Sequence, residues 1–135
     1  MNLSKIAAIL YTVVSLGVIA FQMGLAAGAP WGAYAMGGAF PGQLPAALRV
    51  TALIQAALLL GMALIVLARV GLILPGWRRT SRWLIWFVVG FAALSLFLNL
   101  ITPSAPERAV WAPVAFVLLL SSAVVAFSPP SKKTS

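Results

Sequence analysis

The chain has 135 residues, of which 63% are hydrophobic and only 7% charged, with a formal net charge of +8 and a mean hydropathy of +1.09. A soluble domain needs roughly 25% charged residues to cover its surface, so this composition excludes a water-soluble globular protein and makes lipid the solvent. Without Cys or His, and with Glu107 as the single acid, the chain has no means for disulfides, thiolate chemistry or Cys- and His-ligated metal sites, and none for paired-carboxylate or histidine acid–base catalysis. No cofactor and no enzymatic activity are expected.

Charge-free intervals mark the spans in order. Lys5 and Arg49 are separated by 43 residues, too many for one crossing and better read as a helix plus a loop. Arg49 and Arg69 enclose 19 residues, Arg82 and Glu107 enclose 24, and Arg108 and Lys132 enclose 23. A helix needs about 20 apolar residues to cross roughly 30 Å of hydrocarbon. The fold expected is therefore all-α: an integral membrane, antiparallel four-helix bundle forming one domain. Its spans run from about Ser4 to Ala27, Pro45 to Ala68, Ser81 to Ile101 and Ala105 to Phe127.

The first span has features of a secretory signal: Lys5, an apolar stretch from Ile6 to Phe21, and the small-residue run LAAGA. Its apolar run is long for a signal h-region, and a transmembrane helix is expected.

After it comes GAPWGAYAMGGAFPGQL, from Gly28 to Leu44. This stretch is uncharged yet fairly apolar through Trp31, Tyr34, Met36 and Phe40. Gly and Pro punctuate it too often for another span. It is expected to lie along the outer interface or fold over the helix ends, with one helical turn starting at Pro30. An interfacial loop anchored by aromatics is the plainer reading, and a lid over an outward-facing site the functional one.

Between the second and third spans lies RVGLILPGWRRTSRW, Arg69 to Trp83, with four of the nine basic residues. Basic residues flanking apolar runs are retained on the cytoplasmic side. With both termini inside, that side receives Lys5, Arg69, Arg78, Arg79, Arg82, Lys132 and Lys133, and the outside receives Arg49 and Arg108. Seven against two predicts an N-in/C-in topology in a bacterial inner membrane. A charge of this sign would suggest nucleic acid in a soluble chain, but residues placed at span ends answer to membrane orientation and anionic lipid, and no nucleic-acid partner is expected.

The last connection, ITPSAPERAVW, contains Ser104-Ala105-Pro106-Glu107, an S-x-x-E capping box with Pro in the first turn. Ser104 should accept from the Glu107 amide while Glu107 reaches back to the start of the helix. Pro113 withholds a hydrogen bond from Ala109 and should bend the fourth helix. SPPSKKTS ends that helix and carries two lysines as a solvated anchor.

Polar residues within spans seek partners. Gln22, Gln55 and Asn99 all fall in the outer half, with Ser95, Asn99 and Thr102 on one stripe of the third helix. Arg49, Glu107, Arg108, Trp31, Tyr34 and Trp111 come to the same level, so the outer end collects a polar and aromatic cluster above a dry inner half. One reading is interhelical hydrogen bonding, each bond contributing about 0.6 to 2 kcal/mol. The other is a pocket in which the amides orient a ligand and Arg49 attracts an anionic group. Gly24 to Gly28 matches G-x-x-x-G, and Gly61 and Gly90 sit mid-span. Such residues permit close helix approach within the bundle or in a homo-oligomer.

GAPWG…GG…PG..P..LRV, with ITPSAPERAVWAPVA before the last span, resembles small bacterial four-span membrane proteins that carry no assigned function. Small multidrug exporters are similar in length and span number but depend on a carboxylate in the first helix, absent here. Disulfide-handling four-helix proteins require cysteine pairs, and fluoride channels a glycine- and arginine-bearing signature, neither of which occurs. The expected function is a non-enzymatic binding or accessory role through the outer end, toward membrane lipid, a small apolar ligand or a partner membrane protein. An oligomeric transporter or channel is the alternative, which a polar path past mid-membrane would favour.

Overall fold

The computed structural model describes residues 2–129. The lysines at 132 and 133 lie outside them. Four long helices account for most of the chain: α1 Leu3–Ala27, α2 Ala46–Arg69, α3 Arg78–Ile101 and α4 Ala105–Phe127. Short 3-10 turns occupy Gly32–Tyr34, Met36–Gly38 and Pro75–Trp77, and no strand occurs among the described residues. All four helices are long and apolar enough to cross a membrane. This is a small multi-pass membrane protein.

The helix limits follow from local chemistry. The Asn2 side chain accepts from the Lys5 amide at 2.9 Å, which satisfies one of the free N–H groups that open α1. Pro75 starts the turn that runs straight into α3, so that helix begins three residues before the expected Ser81, and the Ser81 hydroxyl donates to the Arg78 carbonyl at 2.8 Å. Ser104 caps α4 by accepting from the Glu107 amide at 3.2 Å, and α4 continues through Pro113.

The helices pack as a ring in which α1 lies against α2 and α4, and α3 against α4 and α2. One core cluster joins Ala7, Ala8 and Tyr11 near the start of α1 to Val66 near the end of α2, Ile85 and Val88 of α3 and Val125 of α4. Small residues carry much of it, which brings the backbones close. A second, smaller cluster of Leu25, Leu44 and Ala52 closes the other end with help from Met36 of the loop. On the outside, Val, Ile and Phe side chains such as Val13, Ile54, Phe97 and Phe116 are exposed, as suits a surface solvated by lipid.

Two features were not anticipated. Arg69 belongs to the basic group expected to flank the membrane, yet it is buried, and its Nη2 donates to the Ser128 carbonyl at 3.1 Å. It thus ties the end of α2 to the end of α4, where the helix dipole favours a cation. Trp86 of α3 meets Phe127 edge-on nearby, with ring centroids 5.0 Å apart. The second feature concerns α3, whose buried residues are Ser81, Ile85, Val88 and Ala92 and none beyond. Its last turns border a cavity instead of a packed core.

Candidate functional site

The 28–44 loop folds back over one end of the bundle. The helical turn expected from Pro30 takes the form of the two 3-10 turns. Trp31 sits on Gly24 of α1, where an added Cβ would collide with the indole ring. Its ring also stacks on Phe21 at 5.8 Å and 12°, and Phe21 in turn meets Trp111 at 4.6 Å. Gly24, one half of the G-x-x-x-G match, is therefore occupied from within the chain. Gly61 and Gly90 face open space and bring no backbone close.

Three hydrogen bonds fasten the loop to α4. Trp111 Nε1 donates to the Tyr34 carbonyl at 2.8 Å, and the Ser104 hydroxyl donates to the Ala33 carbonyl at 2.6 Å. The third runs from the Gly37 amide to Glu107 Oε2 at 2.8 Å. Gly37 has φ +71°, the left-handed region that aims its N–H at the carboxylate and that a side chain would disfavour. The capping box is thus half formed. Ser104 takes the Glu107 amide, but the Ser104 amide turns to Thr102 Oγ1 at 3.3 Å, and Glu107 reaches across to the loop.

Beneath this cover lies a cavity of about 440 Å³, bordered by all four helices and by Tyr34, Ala35 and Met36 of the loop. Gln22, Tyr34, Gln55, Asn99, Glu107 and Trp111, six residues expected at an outer site, all line it. Most of the remaining wall is apolar, with Tyr11, Leu59 and Leu118 at the deep end. Gln55, Leu94 and Leu98 line the cavity and are exposed as well, so its mouth lies between α2 and the last turns of α3. The cavity opens sideways, between two helices.

Trp31, Arg49 and Arg108 stand outside the lining. Arg49 Nε donates to the Ala26 carbonyl at 2.9 Å and closes the end of α1, while Arg108 Nη1 donates to the Thr102 carbonyl at 2.8 Å and closes the end of α3. Both guanidiniums complete helix termini. No family model, curated protein or solved structure matches this chain. The site must speak for itself.

The amides do not pair with one another across the helices. Asn99 Nδ2 donates to the Ser95 carbonyl of its own helix at 2.7 Å, and Gln55 is exposed. Thr12, Thr51, Ser121 and Ser122 likewise turn to carbonyls of their own helices. Such back-bonding is the usual recourse of hydroxyls in apolar helices. Gln22 differs: its Oε1 is buried and has no hydrogen-bond partner among the described residues. An acceptor in that condition costs about 1–3 kcal/mol until something donates to it. The apolar wall residues Phe21, Phe91 and Val114 were missed by reasoning from polar residues alone. Phe91, four residues before Ser95 on the same stripe, was the signal available for them.

Proposed function

We propose that this is a non-enzymatic binding or accessory protein of the bacterial inner membrane, which holds a lipid or small apolar ligand in the cavity at its outer end. The observation that carries the reading is the cavity itself, apolar over most of its wall, open toward lipid, and carrying an unsatisfied buried amide oxygen. Pockets for small molecules combine an apolar lining with a few placed polar groups.

Charge supports the direction. Arg49 and Arg108 close helix ends on the loop side, whereas Lys5, Arg69, Arg78, Arg79 and Arg82 belong to the other end. Read with the positive-inside rule, the bundle is antiparallel with N-in/C-in topology, and the loop and cavity face outward.

A conduit is less well supported. Below Tyr11 and Leu118 the interior passes into the cluster of Ala63, Val66, Ile85 and Val88, and the buried hydroxyls of Ser121 and Ser122 are taken up by carbonyls of their own helix, which leaves an ion or polar solute little to replace its hydration.

Native mass spectrometry of the protein extracted gently from its own membrane tests the reading. A bound molecule of fixed mass is expected. A bare protein at every activation energy would remove the binding role and turn attention to a missing protein partner.

A further inference from the structure

The cavity's polar groups define the head of the molecule it takes. Glu107 is the single acidic side chain in a sequence with formal charge +8, and it lines the cavity. No Lys or Arg is among the lining residues, and the two guanidiniums nearest in sequence, Arg49 and Arg108, are engaged with backbone carbonyls at helix ends. Glu107 Oε2 already holds Gly37, but a carboxylate offers about four acceptor positions. Gln22 adds a buried carbonyl oxygen with no donor facing it, and Asn99, whose Nδ2 is committed to Ser95, has its carbonyl oxygen left to offer. The site therefore combines one negative charge and several acceptors with the neutral donors of Gln22, Gln55 and Ser95, and no cation lines it.

We infer that the ligand is an amphiphile with a hydrogen-bond-donating, non-anionic head, a hydroxyl or an ammonium, whose chain passes out between α2 and α3. This rests on the binding role proposed above and specifies its chemistry. A phosphate or carboxylate head would meet like charge at Glu107 and oxygen at Gln22, with no cation to compensate its desolvation. This departs from one of the two sequence-based readings, a pocket in which Arg49 attracts an anionic group, because Arg49 stands outside the lining and donates to the Ala26 carbonyl. The head sits at the loop end beside Glu107. The chain lies along Phe91 and Leu94 and reaches lipid past Leu98, which is 51% exposed.

The test is competition in native mass spectrometry. Delipidated protein in micelles is offered equal amounts of hexadecanol, hexadecylammonium and hexadecyl phosphate. The alcohol and the ammonium are expected to bind at least about tenfold better than the phosphate. Gln22→Leu should weaken both by a similar factor, whereas Glu107→Gln should weaken the ammonium far more than the alcohol. Two variants locate the binding: Ala115→Phe fills the cavity, and Leu98→Trp obstructs its half-exposed mouth without touching the core. Either should abolish the adducts. Phosphate binding equal to or better than the other two, and lost in these variants, would overturn the head-group assignment while leaving the cavity as the binding site. Adducts that persist in both variants, or none with any probe, would overturn the assignment and the binding role together.

Discussion

Across 70 residues of chain, the Glu107 carboxylate takes the Gly37 amide at 2.8 Å, so the only acid in the protein fastens the loop that roofs its cavity. A charge-assisted hydrogen bond of this kind contributes about 1.5–3 kcal/mol. Glu107→Gln retains an acceptor and should keep the loop in place with a modest loss. Glu107→Ala should release it, raising hydrogen exchange at the Gly37 amide and proteolysis between residues 28 and 44. Unchanged exchange in the Ala variant would mean that Trp111 and Ser104 suffice to hold the loop.

Gly24 is the seat of Trp31. Gly24→Leu should lift the indole off α1, break its stacking on Phe21 and lower the thermal midpoint. The loss should be about 1–3 kcal/mol, the usual cost of overpacking a fitted contact. Tryptophan fluorescence, read against a Trp31→Phe control, reports the displacement. Gly61→Leu, where space is open, should leave both readouts close to wild type.

Arg69 joins the ends of α2 and α4 through the Ser128 carbonyl. Arg69→Leu leaves that carbonyl without its donor and should cost about 1–3 kcal/mol, seen as a lower melting temperature in detergent. Arg79→Leu, an exposed neighbour in the same basic group, should cost little. Equal losses in the two would mean that Arg69 acts through net charge alone.

Asn99 separates stability from binding. Its amide bonds Ser95 on its own helix, so Asn99→Leu should change the melting temperature little, by less than about 0.6 kcal/mol in stability, the typical worth of an interhelical bond. The same substitution should weaken ligand retention by removing an acceptor from the wall. A large stability loss would restore a cross-helix partner for Asn99.

The absence of Cys makes topology simple to measure. Ala39→Cys in the exposed loop should react with a membrane-impermeant maleimide on intact cells, and Thr80→Cys in the basic hairpin only after permeabilisation. The reverse pattern would put the cavity on the cytoplasmic side.

Much of this architecture was legible in the sequence because each signal was local. Charge-free intervals bounded by Arg49, Arg69, Arg82 and Glu107 located the helices within a few residues, and the S-x-x-E pattern identified the cap at Ser104. The polar stripe of Ser95 and Asn99 pointed to the end of the bundle where the cavity lies. What could not be read depended on pairs distant in the chain. Nothing local tells Glu107 to choose Gly37 over the Ser104 amide, since the choice depends on a left-handed turn in the loop. Arg69 reads as one more flanking charge until the end of α4 is placed beside it. Arg49 read as an attractor of an anionic group and Arg108 as a member of the outer cluster, but the free carbonyls at the ends of α1 and α3 claim them. The cavity arises because α3 buries nothing past Ala92, a property of packing that hydropathy does not encode.

The most direct measurement compares wild-type protein with Ala115→Phe, both extracted from their native membrane and examined by native mass spectrometry. Ala115 is buried on the cavity wall, and the added ring occupies the space assigned to the ligand. Wild type is expected to carry a molecule of fixed mass that the folded variant lacks. A bound mass equal in both, or absent from wild type, would contradict the claim that this cavity is the binding site.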